Sequence, residues 1–169
     1  MRKSVWQNDA SLPEFPILSG ERSTDVLVIG GGLAGLLTVR ELRQKGVDVM
    51  LVEKDRICSA TTAHTSAKLT AQHGLIYQKL IRSLGMEGAS QYYKANAEAV
   101  EKLMNLCRRF GAPMEEKANF VYSSDRRKLD AELDAFQKLG IPAIFDEAPP
   151  CPSPPSVPLA FPVRRNFIP

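Results

Sequence analysis

The chain has 169 residues, 44% of them hydrophobic and 24% charged, with a net charge of +3. That length suffices for one ordinary domain with a real core, and the small, dispersed charge excludes the long basic runs that mark nucleic-acid partners. Cys58, Cys107 and Cys151 are odd in number and form no C-x-x-C pair, which argues against a disulfide framework, a zinc site or an iron–sulfur cluster within these residues and makes a reducing cytoplasm the simplest setting.

Residues 1–23 read as a polar arm with Pro13 and Pro16 and scattered apolar anchors in Val5, Trp6, Phe15, Ile17 and Leu18. Arg2 and Lys3 are followed by no apolar core of a signal peptide. The longest apolar stretch, Val26 to Val39, is too short to cross a bilayer and is interrupted by glycines, so a soluble protein with no membrane partner is expected.

Thr24 to Lys54 reads as strand, tight turn, helix and second strand. Asp25 to Ile29 is apolar without alternation, the pattern of a parallel strand buried on both faces. Gly30, Gly32 and Gly35 follow in G-x-G-x-x-G spacing. In a dinucleotide site these glycines allow a tight turn, close backbone approach to a pyrophosphate, and close packing of helix on sheet. The helix from about Leu33 to Lys45 begins with apolar residues and bare N–H groups, and its positive dipole end attracts a diphosphate without a lysine. Gly46 suits the C′ position, and Val47 to Val52 form the second strand. Glu53, at that strand's carboxyl end, stands where an acid accepts hydrogen bonds from ribose hydroxyls and disfavours a 2′-phosphate. A buried glycine turn with a merely solvated Glu53 is the bland alternative.

Asp55 to His73 is dense in small and hydroxylic residues, among them Ser59, Thr61, Thr62, Thr65, Ser66 and Thr70. Small side chains admit a flat ring or a phosphate, and hydroxyls bond without adding charge; an ordinary surface loop leading into a helix is the alternative. Lys68 is the cation of this loop, and a cation near a flavin's pyrimidine edge stabilises the anionic reduced ring. His64 and His73 fit no triad order or metal-ligand spacing.

The remainder alternates helix and strand. Leu75, Ile76, Leu80, Ile81 and Leu84 predict a short helix ending near Gly85. A longer one over about Glu87 to Phe110 carries Tyr93, Ala97, Val100, Leu103, Met104, Cys107 and Phe110 on one face, and Gly111 and Pro113 stop it. Asn119 to Tyr122 reads as a strand. Ser124 is the expected cap of a helix over Asp125 to Leu139 with apolar face Leu129, Leu133, Phe136 and Leu139, and Ile141 to Phe145 as a further strand. Residues 148–169 are proline-rich, reading as a linker or extended edge segment, or else as a segment that in a longer protein would lead back into a sheet.

The order SVW, TDVLVIGGGLAGLLTVREL, TTAHTSAKLTAQHGLIYQKLI and YYKANAEAVEKL resembles the amino-terminal part of FAD-dependent oxidoreductases of the D-amino-acid oxidase and glycine oxidase superfamily. It is most similar to the bacterial branch that often carries a carboxy-terminal Rieske iron–sulfur domain. The resemblance runs over most of the 169 residues, and TTAHTSAKLTAQHG is more specific than the glycine motif. It implies an α/β fold: an incomplete Rossmann-like FAD/NAD(P)-binding domain with a parallel sheet, plus the start of an α+β substrate domain. The expected divisions are an arm at 1–23, the FAD-binding unit, cofactor loop and helices at 24–111, the start of the substrate region at 112–147, and a proline-rich tail at 148–169.

By position, the resemblance implies that Gly30, Gly32, Leu33, Ala34 and Gly35 hold the FAD diphosphate and that Glu53 and Lys54 meet the adenosine ribose. Thr61, Thr62, Thr65, Ser66, Ala67 and Lys68 would line the diphosphate, ribityl chain and ring. Ala63 stands where that branch commonly has glycine, and Ser66 replaces a threonine. Family members run to roughly twice this length, and their substrate domain and C-x-H and C-x-x-H cluster ligands come later, so an amino-terminal fragment is expected, with no catalytic side chain and no metal ligand assigned to it. The implied reaction is hydride transfer from an amine, an amino acid or a related C–H substrate to flavin. Its partners would be an unidentified small-molecule substrate and an electron-acceptor protein or the missing carboxy-terminal half. A non-catalytic nucleotide-binding remnant and, less favoured, an NAD-dependent Rossmann enzyme are the alternatives.

Overall fold

The computed structural model describes residues 11–145 and the backbone of 160–168. The chain divides into two compact units, Met1–Ser66 and Ala67–Pro169, the division falling inside the hydroxyl-rich loop.

In the first unit, strand β1 (Val26–Ile29) pairs in parallel with β2 (Val49–Val52), Val26 opposite Val49 and Ile29 opposite Val52. Helix α1 (Leu33–Gln44) connects them, giving the β-α-β order that the sequence predicts. The second strand starts later than expected because the helix end uses the preceding backbone. The N–H of Gly46, at φ +77°, donates to Arg43 O and that of Val47 donates to Leu42 O at 3.1 Å, a closure that satisfies orphan carbonyls.

Burial in this unit departs from the sequence reading. Along β1, half-buried Val26 and Val28 alternate with exposed Leu27 and Ile29, the latter 82% accessible. Helix α1 has no fully buried residue, and Leu33 and Ala34 at its start are exposed. One helix covers one face of a two-stranded sheet, so the apolar run that suits two covered faces has only one covered by the described residues of this unit. The anchors expected in the arm are also exposed: Phe15, Ile17 and Leu18 are 69%, 95% and 56% accessible. Trp6 and Val5 lie outside the described residues.

The second unit holds the principal core. Helix α2 (Tyr77–Phe110) is interrupted at Gly85, whose φ of 72° and ψ of 177° are not helical, so the two helices of the sequence reading meet there end to end. Strand β3 (Glu115–Tyr122) precedes helix α3 (Arg126–Leu139). Tyr77, Val121, Leu129, Ala135, Phe136 and Ile141 are buried together. Tyr77 packs edge-on to Tyr92, Tyr93 and Phe136, with centroids 6.1, 6.0 and 5.2 Å away. Its burial, followed by the neighbouring tyrosines, pushes its hydroxyl far above the ordinary tyrosine range. Each such fully buried aromatic or leucine contributes about 1.5–3 kcal/mol. Phe110 and Leu84, counted in the apolar stripe, are exposed at 72% and 58%.

Two local expectations are corrected. Asp125, not Ser124, caps α3: its Oδ1 accepts from the Arg127 N–H at 3.1 Å, a role in which aspartate ranks with serine. Residues 141–145 form no strand, only an isolated bridge at Ala143. The Ile141 N–H is taken by Phe136 O at 2.8 Å, closing α3 behind Gly140 at φ +68°, and Pro142 has no N–H to give a ladder. Strand β4 (Ala160–Ile168), in the segment read as a linker or an extended edge segment, pairs antiparallel with β3, Glu115 opposite Ile168 and Tyr122 opposite Ala160.

Candidate cofactor site

The turn between β1 and α1 is built on backbone contacts that only glycine tolerates. Gly30 lies at φ +108° and its N–H donates to Val52 O at 2.8 Å, extending the β1–β2 ladder by one bond. A Cβ on Gly35 would stand 1.9 Å from the Gly30 carbonyl oxygen, so the first turn of α1 rests directly on the end of β1. At Gly32, the N-cap of α1 in extended conformation, a Cβ would meet Thr62 Oγ1 at 3.2 Å. The positive φ at Gly30 and the close helix–strand packing at Gly35 have the geometry that the spacing predicts.

Two side chains close on this turn. Glu53 accepts from the Gly31 N–H at 2.7 Å through Oε2 and from the Asp55 N–H at 3.0 Å through Oε1. Those bonds, Asp55 first and Gly31 second, hold its carboxyl below the usual glutamate range. The carboxylate is thereby ionised and oriented, and its two oxygens retain acceptor capacity for hydroxyl donors. Thr62, in the single 3₁₀ turn Thr61–His64, accepts from the Leu33 N–H at 3.0 Å. The start of α1 has no acid in its first turn and no side-chain cap of its own, so its positive end is met by a neutral hydroxyl from another segment.

Gly31 was not among the sequence-predicted site residues. It is buried, a Cβ there would lie 2.8 Å from Ile57 Cγ2, and its carbonyl accepts from the Cys58 N–H at 2.9 Å. Its signal was a glycine between Gly30 and Gly32 where the motif asks for any residue. Of the residues carried over by position, the structure brings together Gly30, Gly32, Leu33, Gly35, Glu53 and Thr62, with Ala34 exposed on the first turn of α1. Lys54 points to solvent, its side chain 87% accessible and its ammonium 3.8 Å from Asp55. Thr61, Thr65 and Ser66 are exposed, and Ala67 and Lys68 belong to the second unit.

A neutral donor-lined helix start, glycines where side chains would intrude, and an ionised acid at the strand end suit an anionic dinucleotide with ribose hydroxyls. Among the described residues no helix is long and apolar enough to cross a membrane.

Comparison with known proteins agrees with this chemistry. The chain is 36% identical over 144 residues to YhfW of Bacillus subtilis, a protein named for a Rieske 2Fe-2S iron-sulfur group, the match covering 82% of this chain and 28% of that one. It is 30% identical over 88 residues to OrdL of Rhizobium meliloti, named as an oxidoreductase, covering 50% of this chain and 21% of that protein. L-amino acid deaminases from Proteus vulgaris and Proteus myxofaciens superpose with TM-scores of 0.62 and 0.63 over 94% and 99% of this chain, at 14% and 15% identity. That likeness is one of fold, and the chain spans 37% of each of those structures. Residues 25–151 match the model of the FAD dependent oxidoreductases, and to that family, whose cofactor is FAD, the chain belongs.

Proposed function

We propose that this chain is the FAD-binding amino-terminal part of a cytoplasmic oxidoreductase that oxidises an amine or amino acid by hydride transfer to the flavin. The observation that carries the reading is the oriented Glu53 carboxylate beside a helix start whose Leu33 N–H is met only by a neutral hydroxyl. Gly30, Gly32, Leu33, Ala34 and Gly35 would bind the diphosphate, and Glu53 and Lys54 the adenosine ribose. Thr61, Thr62, Thr65, Ser66, Ala67 and Lys68 would serve the remainder of the cofactor. When bound, the flavin supplies the hydride-accepting chemistry, and the protein binds, orients and tunes it. The substrate class follows the superfamily resemblance, and the solved neighbours are L-amino acid deaminases. Oxygen or a carrier protein would take the electrons.

The test is a titration of the purified chain with FAD, followed by flavin absorbance and fluorescence, and then anaerobic addition of amines and amino acids. A bound yellow cofactor that an amine bleaches supports the proposal. A colourless chain that leaves the FAD spectrum unaltered refutes it. One observation favours a second reading, a nucleotide-fold remnant without catalysis: exposed Leu27 and Ile29 leave the first unit with little covered sheet.

A further inference from the structure

Gly31 stands between Gly30 and Gly32 in the turn that joins β1 to α1, and it is buried there. The motif spacing leaves its position open to any residue. Its backbone does not ask for glycine either: unlike Gly30 at φ +108°, it lies outside the left-handed region. What the site excludes is a side chain. A Cβ would stand 2.8 Å from Ile57 Cγ2, 3.2 Å from Glu53 Cβ and 3.4 Å from Glu53 Cγ. The last two atoms belong to the stem of the carboxylate whose Oε2 accepts from the Gly31 N–H at 2.7 Å. One residue thus supplies both the bond that holds Glu53 and the clearance that lets Glu53 come close enough to make it.

The same peptide is held from its other side. The Gly31 carbonyl accepts from the Cys58 N–H at 2.9 Å, and Cys58 sits at φ +56°, a left-handed conformation that a residue with a Cβ adopts only when its surroundings impose it. Residues 53–58 therefore fold back over Gly31 inside the first unit, one end on its N–H and the other on its C=O. Glu53 Oε1 meanwhile accepts from the Asp55 N–H at 3.0 Å. That bond alone would tether one oxygen and let the carboxylate turn about it, and the Gly31 amide is the second point that fixes its plane. Each oxygen has given one acceptor site to an amide and keeps one. Two fixed acceptor sites on a single carboxylate match a group with two neighbouring O–H donors, and fixing them in advance spares the cost of ordering them on binding.

We infer that Gly31 is a positioning residue for nucleotide selectivity, fixing the Glu53 carboxylate as a preorganised receptor for a ribose that keeps both of its vicinal hydroxyls. This rests on the flavin reading proposed above, in which Glu53 meets the adenosine ribose.

The experiment measures FAD binding by flavin fluorescence and then displacement of FAD by ADP and by 2′-deoxy-ADP. Far-UV circular dichroism and the acid titration of the Glu53 carboxyl, followed by NMR, are recorded for each variant. The parent is expected to prefer ADP about tenfold, the scale of one hydrogen bond to a charged group. Gly31→Ala should bring the two competitors within about threefold of each other. Its Glu53 should titrate nearer the ordinary 4.5, because one of the amides that lower it is displaced. Lys54 and Asp55, the charged residues that follow Glu53, are the same in both chains, so the change reports the amide. Combining Gly31→Ala with Ile57→Ala removes the 2.8 Å contact and leaves the two with Glu53; the fold should then match the parent while the preference for ADP stays lost. On a Glu53→Ala background, Gly31→Ala should change the preference no further. The inference is overturned if Gly31→Ala discriminates the competitors as the parent does, if its Glu53 titration does not move, or if the double variant recovers the preference. A double variant that does not fold overturns it too, since the glycine then serves folding rather than the carboxylate. A parent chain that binds neither FAD nor ADP defeats the flavin reading and this inference together. FAD bound normally, with no preference for ADP or with one insensitive to residue 31, defeats this inference alone.

Discussion

Glu132 offers a stringent test of the second unit, because one carboxylate there does the work of a whole helix cap. It is 1% accessible and reaches from α3 to the start of α2. Its Oε1 accepts from the Ile76 and Tyr77 N–H groups at 2.9 and 2.8 Å, and its Oε2 from the Gln78 N–H at 3.0 Å. The N-cap residue Ile76 has no side-chain acceptor of its own, so these amides depend on a residue over fifty positions away. Glu132→Ala strands all three. The Tyr77 amide is fully buried and the other two partly so; at about 2 kcal/mol for the buried donor and about 1 for each of the others, the loss is about 4 kcal/mol. That is a large share of the roughly 5–15 kcal/mol by which ordinary domains are stable. Glu132→Gln keeps one acceptor oxygen but turns an NH₂ toward an N–H and removes the charge from the positive helix end, a loss of about 1–2 kcal/mol. Urea unfolding followed by far-UV circular dichroism measures both. Two outcomes refute the reasoning: an alanine variant within about 1 kcal/mol of the parent, or a glutamine variant as damaged as the alanine one.

The glycine turn and Glu53 give two further expectations. Gly35→Ala sets a Cβ against the Gly30 carbonyl oxygen at 1.9 Å, and backbone cannot yield as a side chain can, so a loss of about 3 kcal/mol is expected. Gly46→Ala, where nothing lies within 4 Å of the added Cβ and only the positive φ is strained, should cost about 1 kcal/mol in the same urea unfolding; equal losses at the two sites would contradict the packing account. Glu53 is held ionised by the Asp55 and Gly31 amides, so its hydrogen bonds contribute fully above the ordinary glutamate value of 4.5 and their contribution fades as pH falls through the lowered folded value. The stability gap between the parent and Glu53→Gln should therefore narrow in acid, and a gap that is constant across that range would sink the assignment.

Much of the first unit was legible because its determinants are contiguous. Gly35 answers to a contact with Gly30 in the same turn, and Glu53 follows its strand directly, so strand, turn, helix and acid can be read in a single pass. Where the reading went astray, the deciding partner was distant or missing from the unit. Val26 to Ile29 reads as doubly buried, yet α1 covers one face only and Leu27 and Ile29 stay exposed. Strand β4 was hidden because its pairing partner lies some forty residues earlier and because Pro162, opposite Phe120, can give no ladder hydrogen bond and disrupts any strand signal.

The polar residues that matter in the second unit shared a signal that periodicity alone obscures. Leu129, Leu133 and Phe136 define the buried face of α3, and Glu132 falls on that same face at helical spacing. Asn119 likewise is a buried polar residue beside Phe120 and Val121, where the charged first half of β3 gives way to an apolar run. A charged or amide side chain on an otherwise apolar stripe must either be bonded or unfold its surroundings, so each implies a partner even when the sequence cannot name it. For Glu132 the partner is a helix start, which any well-placed acceptor could satisfy. For Asn119 the partners are the Lys68 ammonium and the Thr70 hydroxyl.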